Sequence, residues 1–484
     1  MQFNSHIFIL LFLPAAAVGV HLLRRAGRSR RAVCLFLLAM SVWFYAANSP
    51  SGLFLLCASI FFNYELGRSL KRRPSRGGLA FGVGANLAVL GVLKYTDFAL
   101  GAVFGLLGLA YTPQNFLAPL GLSFFTFQQI AYLCDAARGE ADDYTPEEYA
   151  LYVAFFPTIM SGPIAYHSEI IPQLRAAKPV PDWDVLARAL ARIALGLAKK
   201  VLVADVLSGA VAAGFGLAGG LSSPAALTVM LGYTLQLYFD FSGYCDIASG
   251  AALLLGVELP VNFDAPYRAC SVTEFWKRWH MTLTRFFTRY LYIPLGGSRR
   301  GLRRTCANVM LVFLLSGLWH GANWTFLVWG GLHGAAMVLE RLRRARGCRP
   351  LPRPLGWALT FLFVNLAWVF FRADSIGQAL ALLGDLFAGG FEALPPALTG
   401  CYLTAEIKAV NQLFGLDGIR LGALSAVLLT GGALAQATLP RKTVLARTGE
   451  GFRPTVPALL GTAFLLFWSV LSFTGVGSFL YFTF

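Results

Sequence analysis

The chain has 484 residues, of which 57% are hydrophobic and only 13% charged, whereas soluble domains carry about 25% charged residues; a soluble globular protein is excluded. The net charge of +16 does not point to nucleic acid, because the basic residues fall in short clusters between apolar runs, at 24–31, 68–76, 299–304, 341–353 and 441–447. That is the positive-inside pattern of cytoplasmic loops.

A spanning helix needs roughly 20 mostly apolar residues, and such stretches recur along the whole chain. Backbone polar groups in a bilayer must bond within helices or a closed barrel. Barrel strands would give short alternating segments. The long continuous runs predict an all-α polytopic membrane protein, one membrane domain over 1–484.

The first span, 4–23, has no basic region before it and a basic cluster after it, so it reads as a retained span with its N-terminus outside rather than a cleaved signal. The second covers 32–47 and turns at Ser49-Pro50-Ser51-Gly52; the third covers 53–66. Residues 78–109 are Gly-rich and long enough for one span plus an interrupted second element. The apolar stretch 117–134 is broken by Pro119 and Gly121 and reads as a re-entrant or buried segment. An acidic loop at 137–149 leads to 151–164, where Pro157, Gly162 and Pro163 predict a kinked helix. Residues 172–184 read as a surface loop and 185–200 as an amphipathic helix ending in Lys199-Lys200. Span 225–255 carries Asp240, Ser242 and Asp246. These carboxylates could bind a cation or relay protons, but buried charges are as a rule paired, so they are assigned backbone or Arg partners.

In the last third, 308–319 and 324–339 form a helical hairpin turning at His320-Gly321-Ala322-Asn323. Residues 355–371 then lead outward, 391–418 form an extracytoplasmic loop, 421–439 return, and 457–473 lead out again, leaving the C-terminus outside. The eight cysteines include no close C-x-x-C pair and indicate neither a disulfide framework nor a zinc site.

Six histidines occur: His6, His21, His167, His280, His320 and His333. An ionisable group at membrane depth is a functional candidate by default. His320 lies 16 residues after Arg304, about 24 Å along a helix in a hydrocarbon core about 30 Å thick. The same depth suits a structural histidine bonded across a helix interface. Residues 271–297 open with a Ser271–Glu274 capping box and mix Trp, Phe and Tyr with Lys and Arg, as an interfacial amphipathic helix does. On that helix His280 shares a face with Trp276 and Lys277. Two histidines without metal-ligand spacing point to acid–base chemistry on a hydroxyl.

PVNFDAPYRACSVTEFWKRWHMTLTRFFTRYLYIPLGG at 260–297, followed by LSGLWHGANWTFLVWGGLHG at 315–334, resembles the membrane-bound O-acyltransferase superfamily, most closely its bacterial polysaccharide-acetylating branch. Supporting stretches lie at 120–139, 155–164 and 235–250, so the resemblance covers most of 50–375; residues 390–484 match no motif and their role is open. It implies a helical bundle around a central tunnel, with re-entrant segments and interfacial helices. It also implies His320 as the catalytic histidine of the WHG motif and His280 as the second signature position, in RWH. His320 would act as general base, His280 would orient acceptor or donor or stabilise the oxyanion, and Trp276, Trp319 and Asn323 would shape the tunnel. The implied donor is a cytoplasmic thioester, acetyl coenzyme A or an acyl carrier, attracted by the basic loops. The implied partners are an extracytoplasmic acetyltransferase, with 391–418 as a docking surface, and a polysaccharide such as alginate. The implied location is the bacterial inner membrane. Teichoic-acid D-alanylation shares both histidine motifs. A transporter or silent scaffold would also use broken helices and intramembrane polar residues, but no inverted repeat is visible.

Overall fold

The computed structural model describes residues 1–176, 182–415, 417–438, 452–473 and 479–480. Among these every regular element is helical and no strand occurs. Six helices are long and apolar enough to cross a membrane. The first is α1 (Ile7–Arg25), which opens with a π-helical turn. α2 (Arg30–Asn48), α3 (Leu53–Arg72) and α4 (Arg76–Leu106) follow, of which α2 and α4 are among the six. Ser29 and Ser75 cap α2 and α4 by accepting the N–H of Ala32 and Gly78, which places both starts within basic clusters. The expected interruption in 78–109 is absent: α4 is one continuous helix of 31 residues, because its glycines sit in open lipid-facing positions or against neighbouring side chains and none breaks the hydrogen-bond ladder.

α5 (Leu122–Ala137) is buried on almost every face, which bears out the buried alternative for 122–134, while Leu117 ahead of it is exposed. Gly121 before it has φ +73°, and a Cβ there would lie 2.2 Å from the Ile159 carbonyl oxygen. α6 (Pro146–Ala154) stops at Ala154, and the predicted kinked helix gives way to irregular turns over 155–166, every residue of which is buried. Non-helical backbone at membrane depth is tolerated where protein surrounds it. α7 (His167–Arg175) was not anticipated; it carries Pro172 inside it and takes up the first residues of the predicted surface loop 172–184. α8 (Trp183–Leu197), a π-helical stretch at Ala198–Ala204 and α9 (Asp205–Gly216) lead to α10 (Ser223–Leu254), 32 residues without a break.

The carboxylates of α10 are paired, but with lysines rather than arginines. Lys199 Nζ lies 2.6 Å from Asp246 Oδ2. Lys200 Nζ lies 2.7 Å from Asp240 Oδ1 and 2.8 Å from Asp205 Oδ1. The backbone N–H of Leu480 donates to the other oxygen of Asp240. Removing one partner of a buried pair leaves an uncompensated charge and costs about 3–5 kcal/mol. Lys200→Met is therefore expected to lower the melting temperature of the detergent-solubilised protein sharply, and Lys200→Met with Asp240→Leu to recover part of the loss.

The predicted interfacial helix over 271–297 is broken into α11 (Val272–Trp276), α12 (Met281–Phe287) and a π-helical turn, Thr288–Tyr292. Trp276, Trp279, Phe286 and Phe287 are buried in the protein. Aromatics interleaved with basic residues read alike whether the rings face headgroups or a protein core. Ser271 does cap α11, accepting the Glu274 N–H, but Glu274 reaches back to the N–H of Cys270 instead of closing the box. α13 (Gly301–His320), α14 (Trp324–Ala345) and α15 (Arg353–Arg372) then run alternately away from, toward and away from the basic end. α16 (Ile376–Ala388) was not anticipated. The predicted loop 391–418 contains α17 (Pro396–Thr399), a 3-10 turn and α18 (Ala405–Phe414); Leu398 and Tyr402 are buried there. α19 (Gly418–Ala437) and α20 (Val456–Leu471) complete the helices. The basic cluster at 441–447 and the C-terminal residues 481–484 lie outside the described residues.

Candidate active site

α13 and α14 form a tight antiparallel hairpin whose seam is glycine. A Cβ on Gly317 would lie 2.3 Å from the Phe326 carbonyl oxygen, and one on Gly330 would lie 2.4 Å from that of Phe313. Small residues that let helix backbones approach are the usual means of helix association in lipid. The hairpin turns over 321–323, where Asn323 caps α14 by accepting the Thr325 N–H at 3.1 Å and donates its own amide to the Asp374 carbonyl at 2.9 Å.

His320 is the last residue of α13. At 20 residues that helix is about 30 Å long, comparable to the hydrocarbon core. The ring is almost completely buried and packs against the rings of Trp319, Trp329 and Phe371, with centroids 4.8, 5.3 and 5.0 Å away. A helix leaves its last four carbonyls without intrahelical partners. Here Gly321 N–H donates to Gly317, Tyr95 Oη–H to Leu318 at 2.9 Å, and Lys94 Nζ to Trp319 at 2.6 Å and His320 at 3.3 Å. Two α4 side chains thus fix the end of the helix that carries the histidine.

His280 is fully buried, with its ring centroid 6.5 Å from that of His320. It does not lie on a helix face with Trp276 and Lys277: α11 has already ended, and His280 sits at the start of α12 with φ +45°. A left-handed conformation is uncommon for a non-glycine residue and tends to be held at functional sites. Its Nδ1 lies 3.2 Å from Asn262 Oδ1, which also accepts the Thr282 N–H at 3.2 Å and hydroxyl at 3.0 Å. Because that oxygen is an acceptor, Nδ1 of His280 carries the proton. The neutral ring then has Nε2 as its acceptor. Asn262→Leu strands these donors at about 1–3 kcal/mol for each buried orphan; it is expected to cut acyl transfer at least tenfold while membrane abundance falls less, checked by immunoblot and product assay on the same membranes.

Three cavities approach this pair. One of about 320 Å³ is lined by Lys94, Ser123, Phe124, Met160, Trp319 and His320, and opens away from the basic end beside 116–122. A second of about 180 Å³ runs from Tyr292 and Arg341 at the basic end to Trp276 and Ser316, and Ser316 is one turn before His320. A third, of about 620 Å³, is more polar and is lined by Lys200, Asp205, Gln236, Asp240, Asn323 and Arg372. Trp276, Trp319 and Asn323, assigned together to one tunnel, thus line three different cavities. Trp276 is held by a 3.1 Å hydrogen bond from its indole N–H to Nδ1 of the buried His333.

The family model of the membrane-bound O-acyltransferases matches residues 90–375. The chain belongs to the membrane-bound O-acyltransferase family. It is similar to a peptidoglycan O-acetyltransferase of Helicobacter pylori, 39% identical over 79% of this chain and 79% of the relative. It is similar also to a probable alginate O-acetylase of Pseudomonas aeruginosa, 37% identical over 88% of this chain and 79% of the relative. Similarity to a teichoic acid D-alanyltransferase of Bacillus subtilis is lower, 24% identity over 69% of this chain and 87% of the relative. As a membrane-bound O-acyltransferase the chain is a multi-pass membrane enzyme that moves acyl groups to hydroxyls, and the matched region contains His280, His320 and the linings of the two smaller cavities.

Sequence reasoning missed Lys94 and Asn262. Lys94 had a signal: it is the only charged residue between Arg76 and Asp97 in an apolar run. Asn262 had none, because its role depends on 262 and 280 meeting across a turn.

Proposed function

We propose that this enzyme takes an acetyl group from a cytoplasmic thioester, acetyl coenzyme A or an acyl carrier, and delivers it for O-acetylation of a polysaccharide outside the cytoplasmic membrane. The observation that carries this reading is that cavities from opposite ends of the bundle approach the end of α13 that carries one buried histidine. That from the basic end stops one turn short of His320, and that from the opposite end is lined by His320 itself. The positive-inside rule makes the basic end cytoplasmic.

His320 is the general base. The acceptor hydroxyl passes its proton to the imidazole as its oxygen attacks the thioester carbonyl. The new C–O bond forms, the C–S bond breaks, and the imidazolium returns the proton to the departing thiolate. His280, with Nδ1–H committed to Asn262, offers Nε2 as an acceptor and orients a donor group at the reaction centre. Trp276 walls the donor side, Trp319 the acceptor side, and Asn323 fixes the turn between them. An extracytoplasmic acetyltransferase partner carries the group onward, docking on 391–418.

The test uses cells lacking the native gene and complemented with the wild-type chain. Base-labile acetate is measured separately on secreted polysaccharide and on peptidoglycan fragments. Acetate returning to either supports the reading and names the polymer. Ester-linked D-alanine returning instead, or no change in any ester, overturns it.

A further inference from the structure

Acyl transfer requires a donor for the oxyanion formed when the thioester carbonyl is attacked, and such preorganised donors are usually the largest single contribution to catalysis. His280 is poorly suited, since its one N–H faces Asn262. Among the described residues lining the cavity that holds His320, Lys94 is the only cation. It stands 18 residues into α4, about 27 Å from the basic end, at the depth of His320. An ammonium at such a depth is costly, with translocon scales giving about 2.5–3.5 kcal/mol. A neutral hydroxyl suffices for the adjacent carbonyl of Leu318, where Tyr95 donates, so capping alone does not call for a charge. Among the described residues no carboxylate pairs with Lys94. Two of its three N–H bonds are taken by the carbonyls of Trp319 and His320, which anchors the ammonium while its charge faces the cavity.

We propose that Lys94 is a catalytic residue of this enzyme, supplying the positive charge and the N–H that stabilise the oxyanion. As the acceptor oxygen bonds to the thioester carbon, the carbonyl electron pair moves onto oxygen beside the Lys94 ammonium. It returns to re-form C=O as the C–S bond breaks, and no proton leaves Lys94. The inference rests on the acyl-transfer role given to His320 above.

The test measures the initial rate of radiolabelled acetate incorporation into base-labile ester in complemented cells, at matched membrane abundance, for Lys94→Ala, Lys94→Met, Lys94→Arg and His320→Ala. Lys94→Ala and Lys94→Met are expected to lose about 100-fold, the usual effect of removing one oxyanion donor. Lys94→Arg is expected to keep part of the rate. Millimolar methylammonium is expected to restore Lys94→Ala, whose vacated space it fits, and not Lys94→Met, whose side chain fills that space. Wild-type rate in Lys94→Ala, or a loss that methylammonium does not relieve, overturns the proposal. An inactive His320→Ala beside a fully active Lys94→Ala sinks only the role of Lys94, whereas an active His320→Ala sinks the reading on which it rests.

Discussion

His320→Ala is expected to abolish ester formation while the protein remains in the membrane at normal abundance. A general base contributes about 10²–10⁴-fold, which brings cellular acetylation below detection. The fold should tolerate the change. The ring is packed by Trp319, Trp329 and Phe371, yet the elements that hold its helix in place are the glycine seam and the α4 side chains, neither of which involves the imidazole. His320→Gln keeps a polar side chain of similar length without a basic nitrogen and should be equally inactive. Base-labile acetate is measured on the product polymer, with abundance by immunoblot and melting temperature in detergent. Acetylation at more than a tenth of the wild-type level in either variant would remove His320 from the proton transfer.

Gly317→Val is expected to cost the fold itself. The Cβ would sit 2.3 Å from the Phe326 carbonyl oxygen and 3.1 Å from its carbon. These are backbone atoms of α14, so no rotamer change relieves the clash and the two helices must separate. Overpacking of cores costs about 1–3 kcal/mol, occasionally more; a backbone-to-backbone collision belongs at the upper end. Separation also withdraws the support of His320, three residues on. Both membrane abundance and acyl transfer should fall, with Gly317→Ala intermediate. Gly331→Ala provides the contrast, since the nearest atom to its Cβ is a Leu314 methyl at 3.9 Å; it should behave as wild type. Equal melting temperatures for Gly317→Val and wild type would show that the seam is looser than described.

The glycine seam also marks how far the sequence could be read. Gly330, Gly331 and Gly334 all stand out in WGGLHG. Only the structure shows that Gly330 and Gly334, one turn apart, are pressed against α13 while Gly331 meets it only through a Leu314 methyl 3.9 Å away. Hydropathy and basic clusters located the long spans to within two residues at 30–48 and 353–372, and began the span at 301–320 seven residues late. They failed at 151–164 and 271–297. In lipid an apolar or aromatic surface is acceptable outward as well as inward, so amphipathic patterning does not reveal which faces are covered by protein. Lys199 and Lys200 show the same limit. Partners for Asp240 and Asp246 were to be expected from their place in an apolar span, but which cation meets which carboxylate depends on how α10 packs against the π-helical turn before α9.

By itself, then, the sequence determined the membrane class, the helical architecture and the long spans, which follow from composition over windows of about 20 residues; the histidines of the WHG and RWH motifs were singled out by the resemblance those motifs carry, the cost of ionisable groups in hydrocarbon making His320 a candidate only. Tertiary structure alone decided the left-handed backbone at His280, its anchoring by Asn262, the buried irregular turns at 155–166 and the contact of Lys94 with the end of the His320 helix. The physical reason is separation along the chain: Lys94 and His320 are 226 residues apart, and nothing in local hydropathy records that the Lys94–Tyr95 turn of α4 meets the end of α13.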